Sequence, residues 1–451
     1  MKLLELEDLR DKSILLLGKT RALNPQEFEK LLGIYNITCK TQMDESIVLV
    51  IEGRMMSPYH QNEQEHLYEK GCSFESIDRL EEALCRSINP DTLMMSLKLS
   101  NNQERLQSFI QNPYIDNNFF LKLMSLYDWK GESFFDTNEN RDVTAALIRR
   151  FYKDIERNHN VEYANTGLAH LLTQTTDSEL VTLIASLAPL QNAMKKGSDS
   201  ATHKILQRIA LHPFTLDSVL LKMIRHGNSA LLALIASREP LSKTLQDKLI
   251  ASQEEIILKA LSCNKTLEYD YVKQLLDDEA YRKNILSTVS LNDVIFEQYH
   301  LTHATVLAQN PSLHVRMMQK LFDMNNKEVM YVLASNSSLS EEICDALMTF
   351  SDEKLLQILI ENPQLSSEQL HTFIDNSALH VSLASNEKCD GALLEVLSHS
   401  SDPELILALA KNPSTPIDIL FQLQLDARYE RAVHENSSFA KHIQTQNLGW
   451  L

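Results

Sequence analysis

The sequence is poor in glycine and proline and has no long apolar run. Its 451 residues include 10 glycines and 12 prolines. This scarcity disfavours Gly-rich nucleotide folds and favours helices joined by short loops. No stretch reaches the roughly eighteen apolar residues of a transmembrane helix, and acids interrupt the first apolar run directly after Leu4. We therefore expect a cytoplasmic protein without a membrane span.

Positive charge is also in short supply. There are 43 lysines and arginines against 61 acidic residues, which gives a net charge of −18. Non-specific binding to phosphate backbones or anionic lipid needs clustered basic residues, so nucleic acid and membranes are unexpected partners. Residues 301–451 hold 19 acidic and 9 basic side chains and form the most acidic part of the chain.

The cysteines and histidines do not form a metal-binding pattern. The six cysteines are far apart and include no C-x-x-C pair, which disfavours a disulfide framework, a zinc site and an iron–sulfur site. His300 and His303 have helical spacing for two ligands, but no third ligand lies nearby in the sequence. We expect reduced, mostly buried thiols, no metal and no cofactor.

Residues 1–90 have the pattern of a small α/β domain. Apolar runs at 13–17 and 46–51 predict two buried strands that are parallel neighbours. Asn24 and Pro25 predict the start of a helix between them, and Ser57 and Pro58 predict the start of another. With short strands near 37–40 and 72–77 and a last helix at 78–85, the predicted order is β-α-β-β-α-β-α.

This order resembles a BRCT domain over residues 8–88. The resemblance includes a turn at Gly18-Lys19 after the first strand and the sequence LVIEG at the end of the third. It implies an interaction domain of a kind common in DNA repair and replication. Leu17 stands where phosphopeptide-reading members have a hydroxyl residue, which leaves Lys19 and Thr20 as candidate phosphate contacts. A generic small α/β interaction domain is the alternative.

The string Gly18-Lys19-Thr20 also matches the end of a P-loop. That loop needs a glycine five residues before its last glycine, to let backbone amides surround a phosphate. The residue there is Ser13, inside the predicted first strand. The sequence therefore excludes a P-loop.

From about residue 300 onward, asparagines follow short apolar stretches at a regular spacing. Intervals of 26, 26, 24, 26 and 24 residues predict a solenoid of short helical hairpins. We expect each asparagine to end a helix in the left-handed region, and the next capping residue to begin a second helix. One hairpin cannot offset its ordering entropy alone, so neighbours must stack. The asparagines are Asn310, Asn336, Asn362, Asn386, Asn412 and Asn436.

The repeated motif resembles the leucine-rich-repeat-variant family of bacterial α-solenoids. The motif L-A-x-N-P-x-T-P-x-x-[IL]-L is fullest at 409–420, and the resemblance covers residues 300–440. It implies paired short helices used for protein binding, as in HEAT and armadillo arrays. Weaker copies of the break extend the array backwards. The predicted organisation is an α/β domain at 1–90, an irregular helical joint at 91–160 and repeats at 161–451, so the fold class is mostly α.

The joint contains a basic segment. We predict a helix over 142–157, where Arg149, Arg150, Lys153 and Arg157 form a solvated or ion-paired face, or alternatively a nucleic-acid contact.

The sequence contains no nucleophile elbow, H-E-x-x-H or G-x-G-x-x-G motif. Because spatially assembled catalytic groups leave no such motif, this absence disfavours an enzyme without excluding one. Our leading hypothesis is a non-enzymatic interaction scaffold whose acidic solenoid surface binds a basic protein or peptide. The alternative is a DNA-repair or replication adaptor recruited through the BRCT-like domain. The partner's identity and the oligomeric state stay open.

Overall fold

The structure is a computed structural model that describes residues 4–131, 133–155, 160–196 and 201–447. The chain packs as two compact units, residues 1–235 and residues 236–451. The predicted fold class is confirmed, because a small parallel α/β region is followed by a helical array. The predicted domain boundaries at 90 and 160 stay a prediction.

The first unit begins with the α/β region. Its elements occur in the predicted order, and its four parallel strands lie in the order β2-β1-β3-β4. Leu15 of β1 is in register with Val50 of β3, and both side chains are fully buried. The elements are β1 (Ser13–Leu17), α1 (Pro25–Ile34), β2 (Thr38–Lys40), β3 (Ile47–Glu52), α2 (Pro58–Glu69), β4 (Phe74–Ser76) and α3 (Ile77–Ser87).

Capping residues define the helix ends of this region as the sequence predicts. The Asn24 side chain accepts a hydrogen bond from the backbone N–H of Glu27, and Pro25 occupies the first helical position, where its missing N–H costs nothing. Ser57 caps α2 in the same way by accepting from the N–H of His60. Gly71 follows α2 with φ of 76°, a left-handed conformation that glycine adopts without strain.

Helices occupy the rest of the first unit. They are α4 (Pro90–Ser100), α5 (Gln103–Gln111), α6 (Asn117–Met124), α7 (Asn138–Phe151), α8 (Asn165–Gln174), α9 (Ser178–Ser186), α10 (Ala188–Lys196), α11 (Ala201–Leu211), α12 (Asp217–His226) and α13 (Ser229–Ala236), which extends one residue into the second unit. Arg105 of α5 forms an ion pair with the buried Glu27 of α1 at 2.7 Å, which joins α5 to the α/β region.

The predicted helix at 142–157 is wrong at both ends, because Thr137 caps a helix that begins at Asn138. Helix α7 ends at Phe151, and Tyr152 adopts an extended conformation. The Gln174 side chain of α8 accepts from the backbone N–H of Lys153 and donates to the Asp154 carboxylate. These tertiary hydrogen bonds hold a turn where a continued helix would otherwise run.

The second unit is an array of helical hairpins. We call the helix that precedes each break asparagine the first helix of its hairpin, and the helix that follows it the second helix. The same names are used for the equivalent helices of the earlier hairpins. First helices of successive hairpins pack against one another. The first helices are α15 (Glu255–Ser262), α17 (Glu279–Thr288), α19 (Ala304–Ala308), α21 (Lys327–Ala334), α23 (Glu353–Ile360), α25 (His380–Ser385), α27 (Pro403–Lys411) and α29 (Glu430–Glu435). The second helices are α14 (Lys243–Ile250), α16 (Tyr269–Leu276), α18 (Asp293–Tyr299), α20 (Val315–Asp323), α22 (Glu341–Met348), α24 (Ser367–His371), α26 (Gly391–Ser398), α28 (Ile417–Gln424) and α30 (Ser437–Asn447).

The break asparagines form a hydrogen-bonded ladder between hairpins. The side-chain amide of Asn362 donates to the carbonyl oxygens of Ala334 and Asn336, at 2.6 and 2.8 Å. Asn336 makes the same pair of bonds to Ala308 and Asn310. Each asparagine therefore satisfies carbonyls at the end of the preceding first helix, which would otherwise have no intrahelical donor. Asn310, Asn386, Asn412 and Asn436 also donate across the boundary to the preceding hairpin.

The side-chain oxygen of each break asparagine accepts a hydrogen bond within the turn that follows it. The Oδ1 atom of Asn362 accepts from the backbone N–H of Gln364, two residues ahead, at 2.8 Å. All six asparagines make this bond. Five of the six are at most 3% exposed, and Asn386 is half-buried.

The prediction that these asparagines are left-handed is wrong. None of the six has a positive φ, and Asn412 has φ of −71° and ψ of 120°. A following proline, as in Asn412-Pro413, disfavours the helical region and pushes its predecessor towards extended backbone. Asn386 and Asn436 adopt the same conformation without a proline, so the ladder bonds are also compatible with it.

We predict that Asn362→Ala destabilises the second unit by about 3 kcal/mol, because it leaves buried carbonyls and the Gln364 N–H without their partner. Urea denaturation followed by circular dichroism measures the effect. The matched control is Asn325→Gly, since Asn325 is exposed at φ of 53°, where glycine is well tolerated. Equal midpoints for Asn362→Ala and the unmodified protein would contradict the structural role of the ladder.

A second prediction concerns Arg105→Gln. Burial raises the pKa of the Glu27 carboxyl, but hydrogen bonds and charge from Arg105, helped by Lys30, lower it overall. The contribution of Glu27 to stability is thus present above its unfolded pKa near 4.3 and is lost as pH falls through the lower folded value. Removing Arg105 leaves a buried, poorly compensated carboxylate and should cost about 3 kcal/mol at pH 7.

Because burial then raises the pKa of Glu27, this deficit should shrink as pH falls towards about 4. Thermal unfolding at pH 7 and at pH 4 measures it. Arg10→Gln is the control, because Arg10 pairs with Glu7 on the surface and should change stability by less than about 1 kcal/mol. A deficit that does not depend on pH would show that Arg105 acts through packing alone.

Candidate interaction surface

The ladder determines where the ends of the first helices lie. It joins the C-terminal ends of successive first helices, and these helices also pack against each other. Their N-terminal ends therefore lie together on the opposite edge of the layer. A first helix of eight residues is about 12 Å long, which separates the two edges.

Unpaired glutamates occupy this opposite edge. Six first helices carry an exposed glutamate at their first or second position, where the partial positive charge of the helix N-terminus favours an acid. One of the six, Glu430 of α29, lies 4.0 Å from His434, which leaves five. Among the residues that the structure describes, none of the five has a cationic partner within 4.0 Å. We call this set the acidic edge: Glu255, Glu279, Glu328, Glu353 and Glu404.

A neighbouring lysine is already neutralised by another carboxylate. Lys327 contacts Asp352, the capping residue of the next first helix, at 2.7 Å, and Tyr331 donates to the same carboxylate at 3.0 Å. The hydrogen bond from Lys327 lowers the pKa of Asp352 to about 2. The pair ties two hairpins together, so Lys327 is engaged while Glu328 beside it is not.

A strip of half-buried side chains lies in the same helical layer. It comprises the residue four positions before each of the first five ladder asparagines, and in three of these five hairpins that residue is Val or Ile. Before Asn436 the corresponding residue, Ala432, is buried. Such a strip offers an apolar contact beside the charged edge. The positions are Val306, Val332, Ile358, Ser382 and Ala408.

The structure places Lys19 and Thr20 in the turn after β1. The backbone N–H and carbonyl of Lys19 pair with the carbonyl and N–H of Arg54, both at 2.7 Å, and the Lys19 side chain is exposed. Gly18 adopts φ of 99°, and a Cβ atom there would lie 2.7 Å from the Arg54 carbonyl oxygen. A glycine is therefore needed for the close approach of two backbone segments.

The next three residues surround an anion that belongs to the chain itself. Glu81 of α3 is fully buried, and its carboxylate accepts from the backbone N–H groups of Arg21, Ala22 and Leu23 at 2.9 to 3.0 Å. An internal carboxylate thus occupies the place where loop amides could bind a phosphate. No sequence pattern signals this contact, because the partners are about sixty residues apart.

The basic segment does not form one face. The Arg149 Nε atom pairs with Glu162 at 2.9 Å, whereas Arg150 donates to the carbonyl of Asn112 at 2.7 Å and lies half-buried. Lys153 follows the end of α7 and is exposed. Arg157 lies outside the described residues. Whether these side chains bind a partner stays a prediction.

His300 and His303 contact residues close to them in the sequence, and the cysteines form no disulfide bonds. His300 contacts Glu297, and His303 contacts Thr302. In the described part of the chain, no group of three or more histidine, cysteine or acidic side chains could hold a metal ion. All six cysteines are free thiols. Burial raises the pKa of three of them, Cys85, Cys344 and Cys389, to about 11.

In comparisons with known proteins, no family model, no curated protein and no solved structure matches the chain significantly. Across the described ranges, no helix combines the length and the apolar character that crossing a bilayer requires.

We predict that inorganic phosphate does not bind the turn after β1, because Glu81 already occupies its amides. In amide spectra of the deuterated full-length protein, phosphate at about 20 mM should produce no saturable shift at residues 19 and 20, since weak sites bind in the millimolar range. A saturable shift that Lys19→Ala abolishes would contradict this and support a phosphate contact at Lys19 and Thr20.

Proposed function

We propose that the protein is a non-enzymatic interaction scaffold that binds a basic segment of a partner protein along the acidic edge. The observation that carries this proposal is the repeated, exposed and unpaired glutamate at the start of five first helices. Fixed carboxylates of one sign steer a cationic partner and fix its register. The adjoining apolar strip supplies contact area that charge alone does not.

The spacing of the edge suits an extended peptide. Packed helices lie roughly 8–10 Å apart, and an extended chain advances about 3.3 Å per residue. A peptide that crosses successive first helices therefore meets a new hairpin about every third residue. The partner segment that fits best carries lysine or arginine at that interval.

Two resemblances support a role in binding. The alternation of short helices and asparagine breaks is the basis of the resemblance to leucine-rich-repeat-variant arrays, whose relatives HEAT and armadillo bind proteins. The element order of residues 13–87 is the basis of the resemblance to BRCT domains. This order favours a second candidate function, an adaptor in DNA repair or replication recruited through the α/β region. Direct nucleic-acid contact through 142–157 is less favoured, since Arg149 pairs with Glu162 and the acidic residues Glu104 and Asp142 lie beside the arginines of α7.

We expect a fluorescein-labelled peptide of five Lys-Ala-Ala repeats to bind the full-length protein, with an affinity that falls as salt rises. The triple variant Glu328→Gln, Glu353→Gln, Glu404→Gln should weaken binding about tenfold, which corresponds to about 1.4 kcal/mol spread over three surface charges. Fluorescence anisotropy measures both effects.

The control triple variant is Glu361→Gln, Glu387→Gln, Glu395→Gln, which changes the same charge at exposed positions outside the acidic edge. It should bind like the unmodified protein. Equal losses in the two triple variants would mean that net charge alone attracts the peptide, and the acidic edge would then have no specific role.

A further inference from the structure

An open cleft of about 860 Å³ lies in the first unit, whereas the acidic edge belongs to the second unit. Its walls come from the loop between β1 and α1, from α5 and from α7. Three arginines line it, Arg21, Arg149 and Arg150. The fold therefore brings one basic residue of the loop between β1 and α1, Arg21, to the same cleft as two arginines of α7.

Arg150 supplies a cation whose hydrogen-bond partners are neutral. Its guanidinium donates to the carbonyl oxygens of Asn112 and Ile115 and to the side-chain oxygen of Asn117. It also lies 4.5 Å from the centre of the Phe120 ring. Burial lowers the pKa of Arg150, and the charge of Asp116 opposes this only in part. A half-buried cation that faces a cleft without a bonded carboxylate favours an anionic ligand.

Arg21 and Arg149 are paired but keep donors for a ligand. Arg21 uses Nη1 to bind Asp78 at 3.0 Å, and Arg149 uses Nε to bind Glu162 at 2.9 Å. Both side chains are about half exposed, at 49% and 56%. Each guanidinium has five N–H groups in a planar fork that matches a carboxylate, so hydrogen-bonding capacity remains on both.

The remaining lining restricts the ligand to low charge. Glu104 and Asp142 also line the cleft and would repel a polyanion such as nucleic acid. The lining amides of Gln107 and Gln111 make no hydrogen bond to another described residue. A side-chain amide donates and accepts at once, which suits the N–H and C=O groups of a peptide backbone.

We propose that this cleft binds a short peptide through one glutamate or aspartate side chain, which lies between Arg21 and Arg149 while Gln107 and Gln111 bind the peptide backbone. The site is separate from the acidic edge and takes a ligand of opposite charge. The failure of either proposal therefore leaves the other standing.

The test uses the full-length protein and two fluorescein-labelled, capped heptapeptides of alanine with a central glutamate or a central glutamine. The glutamate peptide should bind about tenfold more tightly by fluorescence anisotropy. Arg149→Gln should abolish this preference while leaving the affinity for the glutamine peptide unchanged. The matched control is Arg316→Gln, since Arg316 is an exposed arginine of α20 in the second unit, and it should keep the preference.

Three results would overturn the proposal. The first is that neither peptide binds with a Kd below about 1 mM, which corresponds to a binding free energy near −4 kcal/mol. The second is that the preference for the glutamate peptide survives Arg149→Gln. The third is that a thymidine octanucleotide binds more tightly than the peptide and displaces it. Thermal melting establishes that each variant is folded. If Arg149→Gln does not fold, Gln107→Ala replaces it and must weaken both peptides about equally.

Discussion

The asparagine ladder is the interaction on which the second unit depends. Every helix end leaves carbonyl groups without an intrahelical donor, and a helix of eight residues has proportionally many of them. In this chain one side chain per hairpin supplies the missing donors across the boundary and accepts an N–H within its own turn. The same residue thus ends one hairpin and aligns it with the previous one, which explains why its spacing is so regular.

Hydrogen bonds like those of the ladder also occur outside the six break asparagines. Asn264, before the six break asparagines, donates to the carbonyl oxygens of Ala236 and Arg238 in the same way. Thr288 lies 24 residues after Asn264, and its hydroxyl approaches the Ser262 carbonyl oxygen at 3.4 Å. In the first unit His212 accepts from the N–H of Phe214 through Nδ1, as an asparagine Oδ1 would. Asn112 there donates to the carbonyl of Ala22 in the α/β region. Residues of similar hydrogen-bonding capacity therefore extend the pattern beyond the clear repeats.

Local patterns predicted the parts of the fold that depend on neighbours in sequence. The capping of α1 by Asn24, the element order of the α/β region and the hairpin period all follow from residues within one turn or one repeat. The backbone of the ladder asparagines was mispredicted because side-chain bonds to another hairpin accompany an extended, not left-handed, conformation. The end of α7 was mispredicted because Gln174, more than twenty residues later, bonds the turn. Glu81 was missed for the same reason.

The positions of the charged side chains follow from the same arrangement of helices. Acids favour helix N-terminal turns, and the ladder places those turns on one edge of the first-helix layer. A local preference repeated over hairpins thus becomes an extended edge on which carboxylates outnumber the lysines Lys327 and Lys354. The first unit combines charges differently. Arg21, Arg149 and Arg150 line a polar cleft, and each is bonded to a carboxylate or to carbonyl groups. Because Glu104 and Asp142 line the same cleft, the net positive charge of its lining is small.

The most direct test of this account is to identify which carboxylates touch a bound basic peptide. Zero-length carbodiimide cross-linking of the Lys-Ala-Ala peptide to the full-length protein, followed by mass spectrometry, makes that identification. We predict that cross-links concentrate on the acidic edge, above all on Glu328, Glu353 and Glu404. Cross-links spread evenly over exposed carboxylates, with Glu361 and Glu387 as reactive as the acidic edge, would contradict it.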